Sequence, residues 1–246
     1  MKNVLIVGGS SAIAAACARR WAAEGANLFL TGRHPLRVEA VAQDLRVRGA
    51  GQVVTHVLDV NDHQQHQAML DACRAALGRI DIVLIAHGSL PDQSRCERDV
   101  DMVLHELSTN ALSTIALLTL LAGQFESQRS GSIAVIASVA GDRGRPSNYV
   151  YGAAKAAVAT FCEGLRARLF KAGVRVLTIK PGFVATPMTA GLALPGPLVA
   201  SPERVAADIV RAIERGKDAL YTPWFWSGIM LVIRSLPGFV FKRVSL

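Results

Sequence analysis

The residues with the most chemistry to offer lie in the second half of the chain. Tyr151-Gly152-Ala153-Ala154-Lys155 sits in a strong helical pattern, and its spacing of four places a phenol and an ammonium on one helix face. An adjacent cation favours the phenolate, so Lys155 is expected to lower Tyr151 from about 10 toward the range of a proton-transfer group. Ser138 stands thirteen positions before Tyr151, just past an apolar β run, where a hydroxyl can polarise a carbonyl oxygen. Asn110 falls inside a long apolar helical stretch, a poor place for an amide that has no hydrogen-bonding task. A phenol, an ammonium, a hydroxyl and an amide together suit proton transfer to a carbonyl oxygen. None of them needs a metal, and Cys17, Cys73, Cys96 and Cys162 show neither metal-site nor redox spacing.

Several elements must bring these groups together. Short β-branched or apolar runs alternate with Ala-rich helical stretches: Asn3 to Val7, Ala12 to Glu24, Asn27 to Thr31, then a helix over Pro35 to Arg48 and a strand over Gln52 to Leu58. A helix over Asn61 to Leu77, a strand over Asp81 to Ala86 and a long helix over Val100 to Gln128 follow. The strand Ser132 to Ala137, the helix Asn148 to Lys171 and the strand Val174 to Ile179 complete the series. Strict alternation implies a parallel sheet with crossover helices, so the fold class is α/β, a doubly wound parallel sheet. Ligands of such a sheet sit at the carboxyl ends of its strands. With no linker and no internal repeat, residues 1–246 read as a single domain with an apolar C-terminal extension.

At the first strand-to-helix turn stands Val7-Gly8-Gly9-Ser10-Ser11-Ala12-Ile13-Ala14. Small residues there let the backbone approach a pyrophosphate, whose charge is stabilised by free N–H groups and the helix dipole. Gly8, Ser10, Ser11 and Ile13 are the cofactor-binding candidates of this turn, although any tight turn of this type has a similar composition. The second strand ends Leu30-Thr31-Gly32-Arg33-His34, with no acid where an NAD site places a carboxylate on the ribose diol. Arg33 instead offers a planar fork of donors suited to a 2′-phosphate, which favours NADP(H), the alternative being a solvated loop arginine. Asp59, followed by Val60 at the end of the third strand, is placed either to accept from an adenine amino group or to cap the next helix.

The nucleotide turn, Asn110, Ser138 and the Tyr151–Lys155 pair in this order resemble the short-chain dehydrogenase/reductase family over essentially the whole chain. The resemblance implies a Rossmann fold, Tyr151 as general acid, and Lys155 on the nicotinamide ribose, tuning Tyr151. It also implies that Ser138 orients the carbonyl and that Asn110 supports a proton relay. Pro181-Gly182 with Thr186 is similar to the family's segment beside the nicotinamide, and Ala86 and Gly88 fall in the segment under the cofactor. Two departures stand out. Ala12 and Ala14 replace the second and third Gly of the turn, and Ile85-Ala86-His87-Gly88 replaces Asn-Asn-Ala-Gly.

The 246 residues are 51% hydrophobic, 6% aromatic and 19% charged, which excludes disorder for most of the chain. Twenty-seven Lys and Arg against nineteen Asp and Glu leave a net charge of +8, pointing to anionic partners. Scattered basic residues without aromatic interleaving argue against nucleic acid. The cysteines read as idle thiols of a reducing compartment, hence a cytoplasmic protein. Lys2 with Val4-Leu5-Ile6-Val7 imitates a secretion signal, but Gly8-Gly9-Ser10-Ser11 cuts the apolar run and the Ala-rich stretch continues into Arg19-Arg20-Trp21. No uninterrupted apolar run reaches the length of a membrane span.

Three segments address the substrate. Arg143 and Arg145 lie in the loop from Ser138 to Tyr151, near the expected mouth of the site, either as contacts for an anionic group or as solvated arginines. Residues 182–202, with Met188 among them, carry no charge from Phe183 to Ala200 and suit a lid over an apolar substrate. Residues 223–246 open with Trp224-Phe225-Trp226, continue through an aliphatic run, and carry Arg234, Lys242 and Arg243 without an acid. This tail fits an interfacial anchor on the inner, anionic face of a membrane, or a helix packed on the core or a neighbouring subunit. The loop and tail together resemble bacterial reductases of decaprenylphosphoryl 2-keto-ribose. That likeness implies an NADPH-dependent ketoreductase of a lipid-linked, phosphorylated keto sugar with peripheral membrane contact. Reduction of acyl or sphingoid ketones, and a catalytically idle NADP-binding sensor or scaffold, are the alternatives. A closed homo-oligomer, dimer or tetramer, is the default assembly.

Overall fold

Why the early strands read as unbroken apolar runs is plain from the structure, a computed structural model that describes residues 1–243. Both faces of the sheet are covered. In β1 (Asn3–Val7), Val4 and Ile6 enter one core while Leu5 and Val7 enter the other. The remaining strands of the main sheet are β2 (Asn27–Gly32), β3 (Val53–Val57), β4 (Ile82–Ile85), β5 (Ser132–Ile136), β6 (Arg175–Pro181) and a last one over Ala219–Thr222. Two-residue strands β7 (Phe183–Val184) and β8 (Val199–Ala200) pair beside the sheet, so the last strand is β9. The seven-stranded order is β3-β2-β1-β4-β5-β6-β9, and every neighbouring pair is parallel. The order reverses between β1 and β4, which opens a crevice at their carboxyl ends.

One core packs α1 (Ala12–Ala23) and α2 (Pro35–Val47) against the sheet together with a helix over Pro202–Glu214. The opposite core holds α3 (Gln65–Leu77) and the long helices over Ser113–Gln128 and Tyr149–Phe170. Between these lie α4 (Gln93–Cys96) and α5 (Val100–Leu107); the other helices are therefore α6 (Ser113–Gln128), α7 (Tyr149–Phe170), α8 (Pro202–Glu214), α9 (Trp226–Ser235) and α10 (Gly238–Phe241). The four cysteines are free and buried.

Differences from the sequence reading have local causes. The helix expected from Asn61 begins at Gln65, because Asp59 Oδ1 accepts the Asn61 N–H at 3.0 Å and turns the chain first. The long helix is continuous but contains a π-helical turn, Ser108–Leu112, which carries Asn110. Val100–Gln128 is long and apolar enough to cross a membrane, yet half of its most apolar window is buried in the protein, with Leu117, Leu118, Leu121 and Phe125 fully inside. The tail divides by face. Trp226, Met230 and Ile233, at helical spacing, are buried, while Leu231 and Val232 are exposed. The final residues of the tail, 244–246, lie outside the described residues.

Candidate active site

The crevice is a cavity of about 610 Å³. Its nucleotide end is built by the β1–α1 turn. Gly8 adopts φ +85°, and a Cβ there would come within 2.6 Å of the His87 backbone nitrogen, so only glycine fits. The Gly8 and Gly9 N–H groups donate to Thr31 O at 3.0 and 2.8 Å, tying the turn to β2. Ser11 caps α1 without a side-chain hydrogen bond and the first turn has no acid, so its N–H groups and dipole face the cavity uncompensated. Of the two Ala departures, Ala12 forms cavity wall and Ala14 is fully buried in the core. Arg33 stands at the rim with Arg37, and neither forms an ion pair among the described residues. Sequence reasoning missed Arg37; it lies one helical turn beyond Arg33, in the first turn of α2. Asp59 and Val60 line the same end, as do Ser10 and Ile13.

At the catalytic end, Ser138 follows β5 in extended conformation and its Oγ accepts the Ala140 N–H at 3.1 Å. Tyr151 lies in the first turn of α7 and Lys155 one turn later, its ammonium 5.7 Å from the phenol ring centre. Lys155 Nζ donates to Ile136 O at 3.1 Å. The expected lowering of Tyr151 by Lys155 does not appear. Burial pushes the phenol up to about 12, only partly offset by a hydrogen bond from Ser138, and burial brings Lys155 down to about 8. Desolvation outweighs the pair's mutual field because the ammonium is turned to the Ile136 carbonyl. The phenol is thereby held protonated at neutral pH.

Asn110 is fully buried and does not line the cavity. Its Oδ1 accepts the Ser89 N–H at 3.0 Å, and its Nδ2 donates to Ser89 Oγ at 3.1 Å and Glu106 Oε2 at 3.0 Å. Ser89 Oγ also donates to Glu106, at 2.5 Å. The amide therefore acts from behind the wall. A Cβ on Gly88 would meet Asn110 Oδ1 at 2.8 Å and Lys155 Nζ at 3.5 Å, so Gly88 is where the relay candidate and the ammonium converge. Ser89 and Glu106 were not singled out from sequence; Glu106, four positions before Asn110, is the signal that was there to be read. His87, at the departure from Asn-Asn-Ala-Gly, is driven by burial to about 3 and stays neutral, bonded to Ser113 Oγ at 2.9 Å.

The substrate end separates the two loop arginines. Arg143 is withdrawn from the site: it does not line the cavity, and its Nη1 donates to the carbonyls of Ile233, Arg234 and Leu236 at the end of α9. Its guanidinium stacks 3.7 Å over the Phe241 ring. A helix C-terminus presents free carbonyls to a cation, which a substrate anion would have to displace. Arg145 does line the cavity and is buried. Asp142, between these arginines and Ser138, is held by Lys180 Nζ and Tyr221 OH, each at 2.6 Å. From the segment 182–202, Phe183, Met188 and Leu192 reach the wall. Pro181, Gly182 and Thr186 also line the cavity, as do Ala86 and Gly88. Trp226 of the tail packs directly behind Gly182 and makes an edge-on contact with Phe183, ring centres 5.2 Å apart.

A family profile described as short chain dehydrogenase matches residues 2–194. An uncharacterized oxidoreductase of Mycobacterium tuberculosis is 39% identical over 241 residues, covering 98% of this chain and 96% of the relative. Another uncharacterized oxidoreductase, from Streptomyces coelicolor, is 36% identical over 246 residues, covering 99% and 96%. Among solved structures, the crystal structure of levodione reductase superposes with a TM-score of 0.84 at 26% identity, over 92% of this chain and 98% of that one. The chain belongs to the short-chain dehydrogenase family. It is an oxidoreductase, and its family uses a nicotinamide cofactor, NAD or NADP.

Proposed function

We propose that this chain is an NADPH-dependent reductase of a carbonyl compound with an apolar part. One observation carries the reading: a single cavity runs from the uncapped α1 N-terminus and Arg33 to Ser138, Tyr151 and Lys155. The nucleotide end fits the cofactor, since the Gly8 cradle admits no Cβ and the free N–H groups of α1 face it. Arg33 and Arg37, neither of them in an ion pair among the described residues, favour a 2′-phosphate over a free ribose diol.

When bound, NADPH supplies the hydride. Tyr151 donates its phenolic proton to the carbonyl oxygen, Ser138 orients that oxygen by a hydrogen bond, and Lys155 holds the nicotinamide ribose. Asn110 works as a positioning residue, holding Ser89 and Glu106 of the cavity wall while its own Oδ1 lies beside Gly88, which also borders the ammonium. Phe183, Met188 and Leu192 supply the apolar wall, which supports a lipid-linked or otherwise apolar substrate. A reductase among the similar solved structures supports the reductive direction.

The test is NADPH oxidation against a panel of free and lipid-linked ketones. Tyr151→Phe is expected to lower the rate by roughly 10²- to 10⁴-fold, the usual contribution of a proton donor. Full activity in that variant, or no change in NADPH fluorescence on adding the protein, overturns the reading.

A further inference from the structure

We infer that the substrate carries an oxyanion, a carboxylate or a phosphate ester, and that Arg145 binds it, making Arg145 the specificity-determining residue of this site. The inference rests on the reductase reading for the identity of the ligand as a carbonyl compound, but not for the anion site itself.

Arg145 is only 8% exposed, yet no carboxylate pairs with it among the described residues. Among the described residues its Nε has no hydrogen-bond partner, and its Nη2 meets only the sulfur of Met230, at 3.8 Å. Asp142, the acid whose field it feels, is engaged at both oxygens by Lys180 and Tyr221, at 2.6 Å each, and forms no ion pair with Arg145 among the described residues. A guanidinium that cannot lose its proton is costly to bury without an anion, and folds rarely keep one unless something compensates it. This one borders the cavity that holds Ser138 and Tyr151. A ligand oxyanion in that cavity is the partner the protein itself does not provide.

The loop around it makes the site rigid. Arg143 is clamped to the end of α9 on one side of Arg145, and on the other the Asn148 N–H donates to Arg145 O at 3.2 Å. The Asn148 side-chain oxygen is a buried acceptor without a partner among the described residues, and Asn148 is also on the cavity wall. A cation and a free acceptor three residues apart on one held loop suit an anionic group with a hydroxyl near it. Such a preorganised pair loses little freedom when ligand arrives.

The experiment uses the full chain and three aryl ketones: 4-acetylbenzoate, 4-acetylphenyl phosphate and the neutral methyl 4-acetylbenzoate. For wild type, kcat/KM with NADPH is expected to favour an anionic ketone over the ester by about tenfold or more. The arm with the larger preference tells carboxylate from phosphate. In Arg145→Met the ratio of anion to ester should fall by about thirtyfold or more, as when one partner of a buried charged pair is removed. Arg145→Lys, which keeps charge but not the fork, should recover part of it. An unchanged ratio overturns the inference. Thermal shift by 4-acetylbenzoate needs no turnover, so it decides the anion site even if no ketone is reduced. A rise in midpoint for wild type and none for Arg145→Met supports the site; equal shifts in both, or none in either, overturn it.

Discussion

Replacing Lys155 with methionine would separate the work of the buried ammonium from its energetic cost. Lys155 is 4% exposed, and burial alone lowers it from 10.5 to about 8. Between about pH 8 and 10.5 the folded chain has shed this proton while the unfolded chain still binds it. The unfolded state binds more protons there, so stability rises with pH across the window. The gain is about 3 kcal/mol, roughly 2.5 pH units at about 1.4 kcal/mol each. Below pH 8 the same amount is carried as a destabilisation of the native state. Lys155→Met removes it and keeps most of the aliphatic stem, but leaves Ile136 O without its donor, a loss of about 1–3 kcal/mol. At pH 7 the variant should therefore be as stable as wild type or up to about 2 kcal/mol more stable, while at pH 10, where about 1 kcal/mol of the penalty remains, it should be as stable or up to about 2 kcal/mol less stable. Urea unfolding of both proteins at one-unit steps from pH 7 to 10 reads this directly. Titrations of other groups, such as Tyr151 held up at about 12 or His87 down at about 3, cancel in the difference between the two proteins. A difference constant within about 0.5 kcal/mol over that range would refute the assignment of Lys155 as a strained buried cation. Under the proposed function, reductase activity of the variant should be lost at every pH, because the ribose contact proposed for Lys155 goes with the ammonium.

Three further outcomes follow from the geometry. Gly182→Ala would place a methyl 1.9 Å from two ring atoms of Trp226, which is only 3% exposed. Overpacking of about 1–3 kcal/mol should lower the unfolding midpoint by about 3–10 °C in calorimetry, and a midpoint within a degree of wild type would contradict the packing. Replacing both Arg33 and Arg37 with alanine should cut the NADPH-to-NADH ratio of kcat/KM by at least about tenfold; an unchanged ratio would remove both from the 2′-phosphate. Arg143→Ala should cost about 2–3 kcal/mol and speed amide exchange at the end of α9, while KM for an anionic ketone stays near wild type. A large rise in that KM instead would return Arg143 to the site.

Periodicity made the alternating strands and helices through β6 legible, because both faces of the sheet are buried and each strand is an apolar run. Apart from the four-residue α4 and the π-helical turn, what escaped lies after the uncharged segment. The sequence Ser201-Pro202-Glu203 does announce α8, and Ser201 Oγ accepts the Arg204 N–H at 3.2 Å, but β9 has only four residues and no period to detect. That short strand matters, since it brings Tyr221 to Asp142 across 79 positions. Pairings of such reach leave no trace in local spacing.

The two loop arginines show how far residue type alone can go. Arg143 and Arg145 are two positions apart, equally basic, and equally suited to an anion when read from sequence. Their fates differ because of α9. Its carbonyl end captures Arg143, while its buried face sets the sulfur of Met230, not a carboxylate, beside Arg145. One cation is thereby consumed in fastening the tail and the other is left uncompensated on the cavity wall. Under the inference drawn above for Arg145, the tail shapes substrate recognition by placing Met230 beside that cation. Changes in its buried residues, Met230 above all, should shift the preference between anionic and neutral ketones before they affect the hydride step.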